Sequence, residues 1–267
     1  MIIFGEKINT INEGVANALN KRDRLFFKNL ALSQLNSGIV DVIDVNVGSD
    51  VAIEPDNMRW AVSCIEKAIG NRVPLSIDSS NPKTIIAGIK EITNKKGSYI
   101  NSITFEENRY KKLLPLAKEY NLNIIALPID DSGIPKSSQE RVKIAEKIAG
   151  LVESYGISLS KLYIDCIVEP ISLSSKNALI SLHTIAKVKK NIPSVKTFIC
   201  LTAISFGLPN RKIINRNFAS LLLREEIDSI ILDPLDKELV LNLFATKLLL
   251  GKDENCKGYM RYIKSKR

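Results

Sequence analysis

Ile2-Ile3-Phe4-Gly5-Glu6-Lys7-Ile8-Asn9 is the stretch on which the fold turns. Its apolar triplet reads as a short β-strand, and the residues just beyond the triplet separate two parallel-sheet architectures. A doubly wound open sheet of the dinucleotide-binding type places G-x-G-x-x-G directly after its first strand. Here Gly5-Glu6-Lys7-Ile8-Asn9 stands in that place. A carboxylate and a carboxamide at a strand end suit a closed (β/α)8 barrel, which gathers its site residues at such ends.

Outward from this stretch the same unit recurs. Strand candidates follow at Val42–Val45, Leu75–Ile77, Tyr99–Asn101, Ile124–Leu127, Leu162–Ile164, Thr197–Leu201 and Ser229–Leu232, which with Ile2–Phe4 makes eight. Helical periodicity marks Arg24–Leu35, Met58–Ile69, Arg109–Tyr120, Glu140–Ser154, Ala178–Lys189, Ile213–Arg224 and Glu238–Leu250. A repeat of about 30 residues is one strand and one helix each time. Continuous apolar strands between amphipathic helices imply a parallel sheet covered on both faces. The expectation is one α/β domain over residues 1–267, a (β/α)8 TIM barrel, with the open sheet as its rival. No Pro-, Gly- or Ser-rich linker divides the chain.

Composition narrows the function. Hydrophobic residues make up 45% of the chain, enough to fill one large core, yet no run approaches the roughly 18 apolar residues of a membrane helix. The start meets Glu6 without any basic stretch before its apolar run, so no secretory signal peptide is expected. The cysteines Cys64, Cys166, Cys200 and Cys256 are far apart and show no CxxC spacing, which suits reduced thiols in a cytoplasmic protein. The net charge of +9 admits an acidic partner or a polyanionic ligand. Its densest cluster is Lys257–Arg267, and no basic stretch is interleaved with aromatics, so nucleic acid is not an expected partner.

The expected strand ends carry a consistent set of polar residues. They are Glu6 and Asn9, then Asp44, Asn46 and Gly48, then Asp78, Ser79, Ser80 and Asn81, then Asn101 and Ser102. Asp130 and Asp131 come after the fifth strand, Asp165 ends the sixth, and Thr202, Ser205 and Arg211 come after the seventh. Helix capping explains some of these, since Asp, Ser and Asn satisfy free N–H groups and Pro82 suits an early helical turn. Capping does not call for Asp and Asn on three different strands, so a ligand site is the reading favoured for the set. Asp and Asn together pair donors with acceptors, which matches the amide-like edge of a planar heterocycle. His183 is the sole histidine and falls on a helix face. No Ser–His or Cys–His pair, thiolate cluster or glycine-rich phosphate loop is present, and no bound metal is expected.

Gly5-Glu6-Lys7-Ile8-Asn9, Asp44-Val45-Asn46-Val47-Gly48, Ile77-Asp78-Ser79-Ser80-Asn81, Ile100-Asn101-Ser102, Tyr163-Ile164-Asp165 and Leu208-Pro209-Asn210-Arg211 together resemble the pterin-binding barrels. Among these the chain is most similar to the methyltetrahydrofolate:corrinoid methyltransferases, relatives of the folate-binding domain of cobalamin-dependent methionine synthase. The resemblance implies a homodimer that moves the N5 methyl of 5-methyltetrahydrofolate to cob(I)alamin on a separate corrinoid (iron-sulfur) protein, or the reverse. It implies that Asp78, Asn101 and Asp165 hold the pterin. Glu6, Asn9, Asn46 and Arg211 would complete the substrate site, with Thr202, Ser205 and Asp78 closest to the chemistry.

One motif departs from the family pattern. The seventh strand of the family ends in Gly-x-Ser-Asn-x-Ser, whose Asn faces N5; here Cys200-Leu201-Thr202-Ala203-Ile204-Ser205 puts Ala203 at that position. Cys166 likewise replaces a Pro after Asp165. Three readings are open: a methyltransferase with Thr202, Ser205 or a water at N5, a folate-binding protein without efficient transfer, or a different reaction on a related substrate. Dihydropteroate synthase chemistry is disfavoured, because the first loop reads Asn9-Thr10-Ile11-Asn12-Glu13 and the seventh lacks a Ser-Arg-Lys-type lysine.

Overall fold

A computed structural model describes residues 1–265, so the last two positions of the basic tail lie outside the described residues. Eight parallel strands close in sequence order into a barrel. They are β1 (Ile2–Asn9), β2 (Val42–Asn46), β3 (Leu75–Asp78), β4 (Tyr99–Ile103), β5 (Asn123–Ala126), β6 (Leu162–Asp165), β7 (Lys196–Cys200) and β8 (Ser229–Leu232). The helices are α1 (Glu13–Asn20), α2 (Arg24–Asn36), α3 (Glu54–Ile69), α4 (Pro82–Glu91), α5 (Glu107–Glu119), α6 (Ser138–Ser154), α7 (Asn177–Asn191), α8 (Arg211–Arg224), α9 (Lys237–Leu249) and α10 (Lys257–Ser265). The barrel expected from the sequence is the one found, and the open sheet is excluded by the pairing of β1 with β8.

The helix starts obey local chemistry. Asn81 caps α4 through the Lys83 N–H and Pro82 occupies its first turn, while Ser137 and Glu140 form a reciprocal capping box on α6. Both faces of each strand are committed. Outward residues such as Ile43, Val45, Ile77, Ile100 and Ile124 pack under the helices in the main core. Inward residues Phe4, Val42, Tyr99, Ile125, Tyr163, Phe198 and Ile231 form a second core inside the barrel. Phe4 meets Tyr99 and Phe198 edge-on at 4.8 and 5.1 Å between centroids, and Tyr99 meets Tyr163 at 5.2 Å. These rings plug the barrel, so a ligand can enter only above them.

The main difference from expectation is at β1, which runs to Asn9 instead of stopping at Phe4. Its pairing with β2 shifts between Gly5 and Ile8. Gly5 permits this: a Cβ there would lie 2.4 Å from Gln34 Oε1, which instead accepts the Lys7 N–H at 3.1 Å. Buried Gln34 of α2 thus replaces a ladder partner where β1 bends towards the mouth.

Candidate functional site

The two-residue period of a strand fixes which side chains face the mouth. Two positions beyond the plug residues Phe4, Val42, Tyr99, Tyr163 and Phe198 stand Glu6, Asp44, Asn101, Asp165 and Cys200. On β3, Asp78 lies opposite Asn46 of β2 and Asn101 of β4 in register. A cavity of about 310 Å³ opens here, lined by Asp78, Asn101, Asp165 and Cys200, with Phe198 at its floor.

Paired hydrogen bonds organise these groups. Asn46 Nδ2 donates to Asp78 Oδ2 at 2.9 Å, and Asn101 Nδ2 donates to the buried Asp44 Oδ1 at 3.1 Å. Asp165 Oδ1 accepts the Ile167 N–H at 2.8 Å, and Thr202 Oγ1 donates to Glu6 Oε2 at 2.8 Å. Crowding carboxylates into a water-poor bowl disfavours their charged form. Burial pushes Asp78 up to about 6 and Asp165 up to about 7. Burial, then the nearby Asp78, holds Asp44 well above the usual carboxylate range. Glu6 is also raised by burial, against the opposing hydrogen bond from Thr202. The Cys200 thiol is raised by burial too, which keeps it protonated and non-nucleophilic.

The expected site residues do not all converge. Asp78, Asn101 and Asp165 share the cavity, with Asn46 bound directly behind Asp78. Ser205 is fully buried and accepts from Arg211 Nε at 3.0 Å, while Arg211 also donates to the Thr202 carbonyl at 2.8 Å. Arg211 lines a separate groove of about 810 Å³ with Asn210, Lys212 and Arg216. Asn9 Oδ1 accepts its own loop's Ile11 N–H at 2.9 Å, and neither it nor Asp130 lines the cavity. Asp130 is tied up by Ser132 in a turn after β5.

Arg109 of α5 is a cavity residue that the sequence reading did not single out. It donates to Ser102 O at 2.8 Å, to Ser79 O at 2.7 Å and to Ser80 O. It therefore staples the loop after β3 to the end of β4, beside both Asp78 and Asn101. A signal was available, since a cation in the first turn of a helix opposes the helix dipole and needs another reason to be there. Behind the same loop, buried Glu54 accepts from Ser79 Oγ at 2.8 Å and Thr84 Oγ1 at 3.1 Å.

The result is a flat-floored bowl with carboxyl and carboxamide groups on adjacent strands. Its acceptors outnumber its free donors, which suits a planar heterocycle presenting several N–H groups along one edge.

Relatives bear on this arrangement. A methylcorrinoid:tetrahydrofolate methyltransferase of Eubacterium limosum is 30% identical over 263 residues, covering 98% of this chain and 95% of its own. Methionine synthase of Mycobacterium tuberculosis is 26% identical over 233 residues, and the chain spans only 19% of that protein's length. Among solved structures, the Yersinia pestis dihydropteroate synthase superposes with a TM-score of 0.64 at 16% identity, over 94% of this chain and 93% of the other. At that identity the match speaks to the fold alone. Residues 18–232 match the profile of the pterin binding enzymes, and the chain belongs to that family.

Proposed function

We propose that the protein is a methyltransferase that moves a methyl group between N5 of tetrahydrofolate and the cobalt of a corrinoid carried by a separate protein. The observation that carries this reading is the convergence of Asp78, Asn101 and Asp165 on one cavity. In the proposed complex their oxygens and amide bind the amino-pyrimidine edge of the pterin, with Asn46 and Asp44 bracing them from behind. Glu6, Thr202, Ser205 and Arg211 form one hydrogen-bonded frame after β1 and β7, which does not itself line the cavity. Phe198 supplies an aromatic floor.

The name of the Eubacterium limosum relative runs from methylcorrinoid to tetrahydrofolate. Ala203 has neither a donor nor an acceptor to offer N5, so another group must handle its proton. When N5 of tetrahydrofolate attacks the methyl carbon, the N–C bond forms as the Co–C bond breaks, and the electron pair stays with cobalt. N5 then releases the proton it carried, and the Glu6 carboxylate linked to Thr202 is the acceptor we assign. Transfer off 5-methyltetrahydrofolate must instead supply that proton to a poor amine leaving group. By microscopic reversibility the same carboxyl returns the proton in that direction, so Ala203 favours neither.

The approach of a large partner also has support on the molecule. Ile11, Val51, Leu173 and Phe206 are 83%, 71%, 75% and 59% exposed, and all four stand on loops at the mouth. A ring of solvated apolar side chains around a site marks an interaction surface. We take the partner to be a corrinoid (iron-sulfur) protein, and the protein itself to be a cytoplasmic homodimer; sedimentation at micromolar concentration checks the dimer. Among the described residues no helix is long and apolar enough to cross a membrane.

The site assignment is tested by titrating tetrahydrofolate into Asp78→Ala protein. Binding should weaken by at least about tenfold, the order of one charge-assisted hydrogen bond, with the circular dichroism spectrum unchanged. Unchanged affinity in folded protein would remove Asp78 from the site.

A further inference from the structure

Ile167 has a φ of 48°, in the left-handed region that a β-branched residue occupies only when its surroundings hold it there. Its neighbours do hold it. The Ile167 carbonyl accepts from Arg141 Nη1 at 2.7 Å and from Ser181 Oγ at 2.7 Å. Its N–H donates to Asp165 Oδ1 at 2.8 Å. The strained residue is thus the link between a buried guanidinium on α6 and a carboxylate in the cavity.

Arg141 is 1% exposed, which an arginine tolerates only when its donors are satisfied. Besides Ile167, it donates to Cys166 O at 3.1 Å, to Pro135 O at 3.1 Å and to Glu169 Oε2 at 2.9 Å. Each of these partners lies on the loops after β5 and β6, and Arg141 does not line the cavity. A planar fork that grips several carbonyls at once fixes backbone geometry in a way one ammonium cannot. Oδ1 of Asp165 is occupied by Ile167, and Oδ2 has no hydrogen-bond partner among the described residues.

We propose that Arg141 is a positioning residue for pterin recognition: by locking Ile167 in its left-handed conformation, it holds one oxygen of Asp165 and leaves the other aimed into the cavity. This rests on the proposed folate site. The lock is electrostatic as well as geometric. Asp165 faces Asp78 across the cavity and the thiols of Cys166 and Cys200, and Arg141 is the cation that favours its charged form.

The test tracks the carboxyl-carbon resonance of Asp165 through a pH titration of ligand-free protein, assigned by its loss in Asp165→Asn, together with tetrahydrofolate affinity at pH 7. In Arg141→Gln the Asp165 midpoint should rise by about one pH unit and affinity should fall about tenfold. Arg141→Lys should keep the midpoint near that of the unaltered protein yet still lose affinity, because charge is retained and the fork is not. Unchanged midpoint and affinity in Arg141→Gln would overturn the proposal. Should that variant not fold, full affinity in Arg141→Lys would overturn it equally. A shifted midpoint in a protein that binds no tetrahydrofolate even when unaltered would remove the folate reading and leave the lock standing.

Discussion

At the scale of single residues, the site is held in a state that works against stability. Asp78 and Asp165 have folded-state values of about 6 and about 7, raised by burial from an ordinary 3.8. A raised carboxylate favours the folded state while it is protonated, and that contribution is lost as pH rises through the folded value. The ligand-free protein should therefore lose thermal stability between about pH 4 and pH 7, and Asp165→Asn should flatten that decline. At pH 8, Asp165→Asn should melt about 2–4 °C higher, the shift expected from roughly 1 kcal/mol in a chain of this size, while binding tetrahydrofolate more weakly. Differential scanning calorimetry across the pH range checks both. A flat profile for the unaltered protein would mean that these carboxylates are as well solvated as surface ones.

At the scale of elements, close approach between layers sets where the site residues stand. Gly88 of α4 lies against β3, and a Cβ there would sit 2.7 Å from Ile77 Cγ2 and 2.8 Å from Met58 Cγ. Ile77 is the outward neighbour of Asp78, so pushing α4 outward strains the strand that carries the site. Gly88→Ala should destabilise by about 1–3 kcal/mol through overpacking, read as a lower urea midpoint with unchanged slope. The strands themselves were legible from β-branched runs, and all eight fall within a few residues of their expected places. Their inward and outward faces were legible too, because Asp78, Asn101 and Asp165 lie at even spacing from Ser76, Tyr99 and Tyr163. The continuation of β1 to Asn9 was hidden, since Glu6 and Lys7 break the apolar run at the point where the strand enters the polar mouth. Arg141 and Glu54 were hidden for another reason. Each acts on backbone or side chains many positions away, and such pairings leave no periodicity to read.

At the scale of the whole molecule, the aromatic plug and the apolar mouth divide the labour. The plug closes the barrel below the cavity, so chemistry is confined to the end where the loops of all eight units meet. The exposed side chains around that end, Leu173 and Phe206 among them, give a partner something to bury. Replacing both with Ser should lower kcat/KM for a protein-bound corrinoid by about tenfold or more, in line with the loss of buried apolar anchors. Turnover of free methylcobalamin should stay unchanged, because a small corrinoid does not need the rim. An equal loss with both substrates would place these residues inside the catalytic site instead. The charge of +9 adds that transfer from an acidic partner should slow as salt rises.

The central claim is methyl transfer between a corrinoid and folate N5, and an anaerobic cuvette tests it most directly. Methylcobalamin and tetrahydrofolate are mixed with the protein, and the change in cobalt absorbance is recorded. The account predicts conversion to cob(I)alamin above the uncatalysed rate, stoichiometric with 5-methyltetrahydrofolate and lost in Asp78→Ala. Background rates in both directions, with free methylcobalamin and with a methylated corrinoid protein alike, would contradict it and leave a pterin-binding protein without this chemistry.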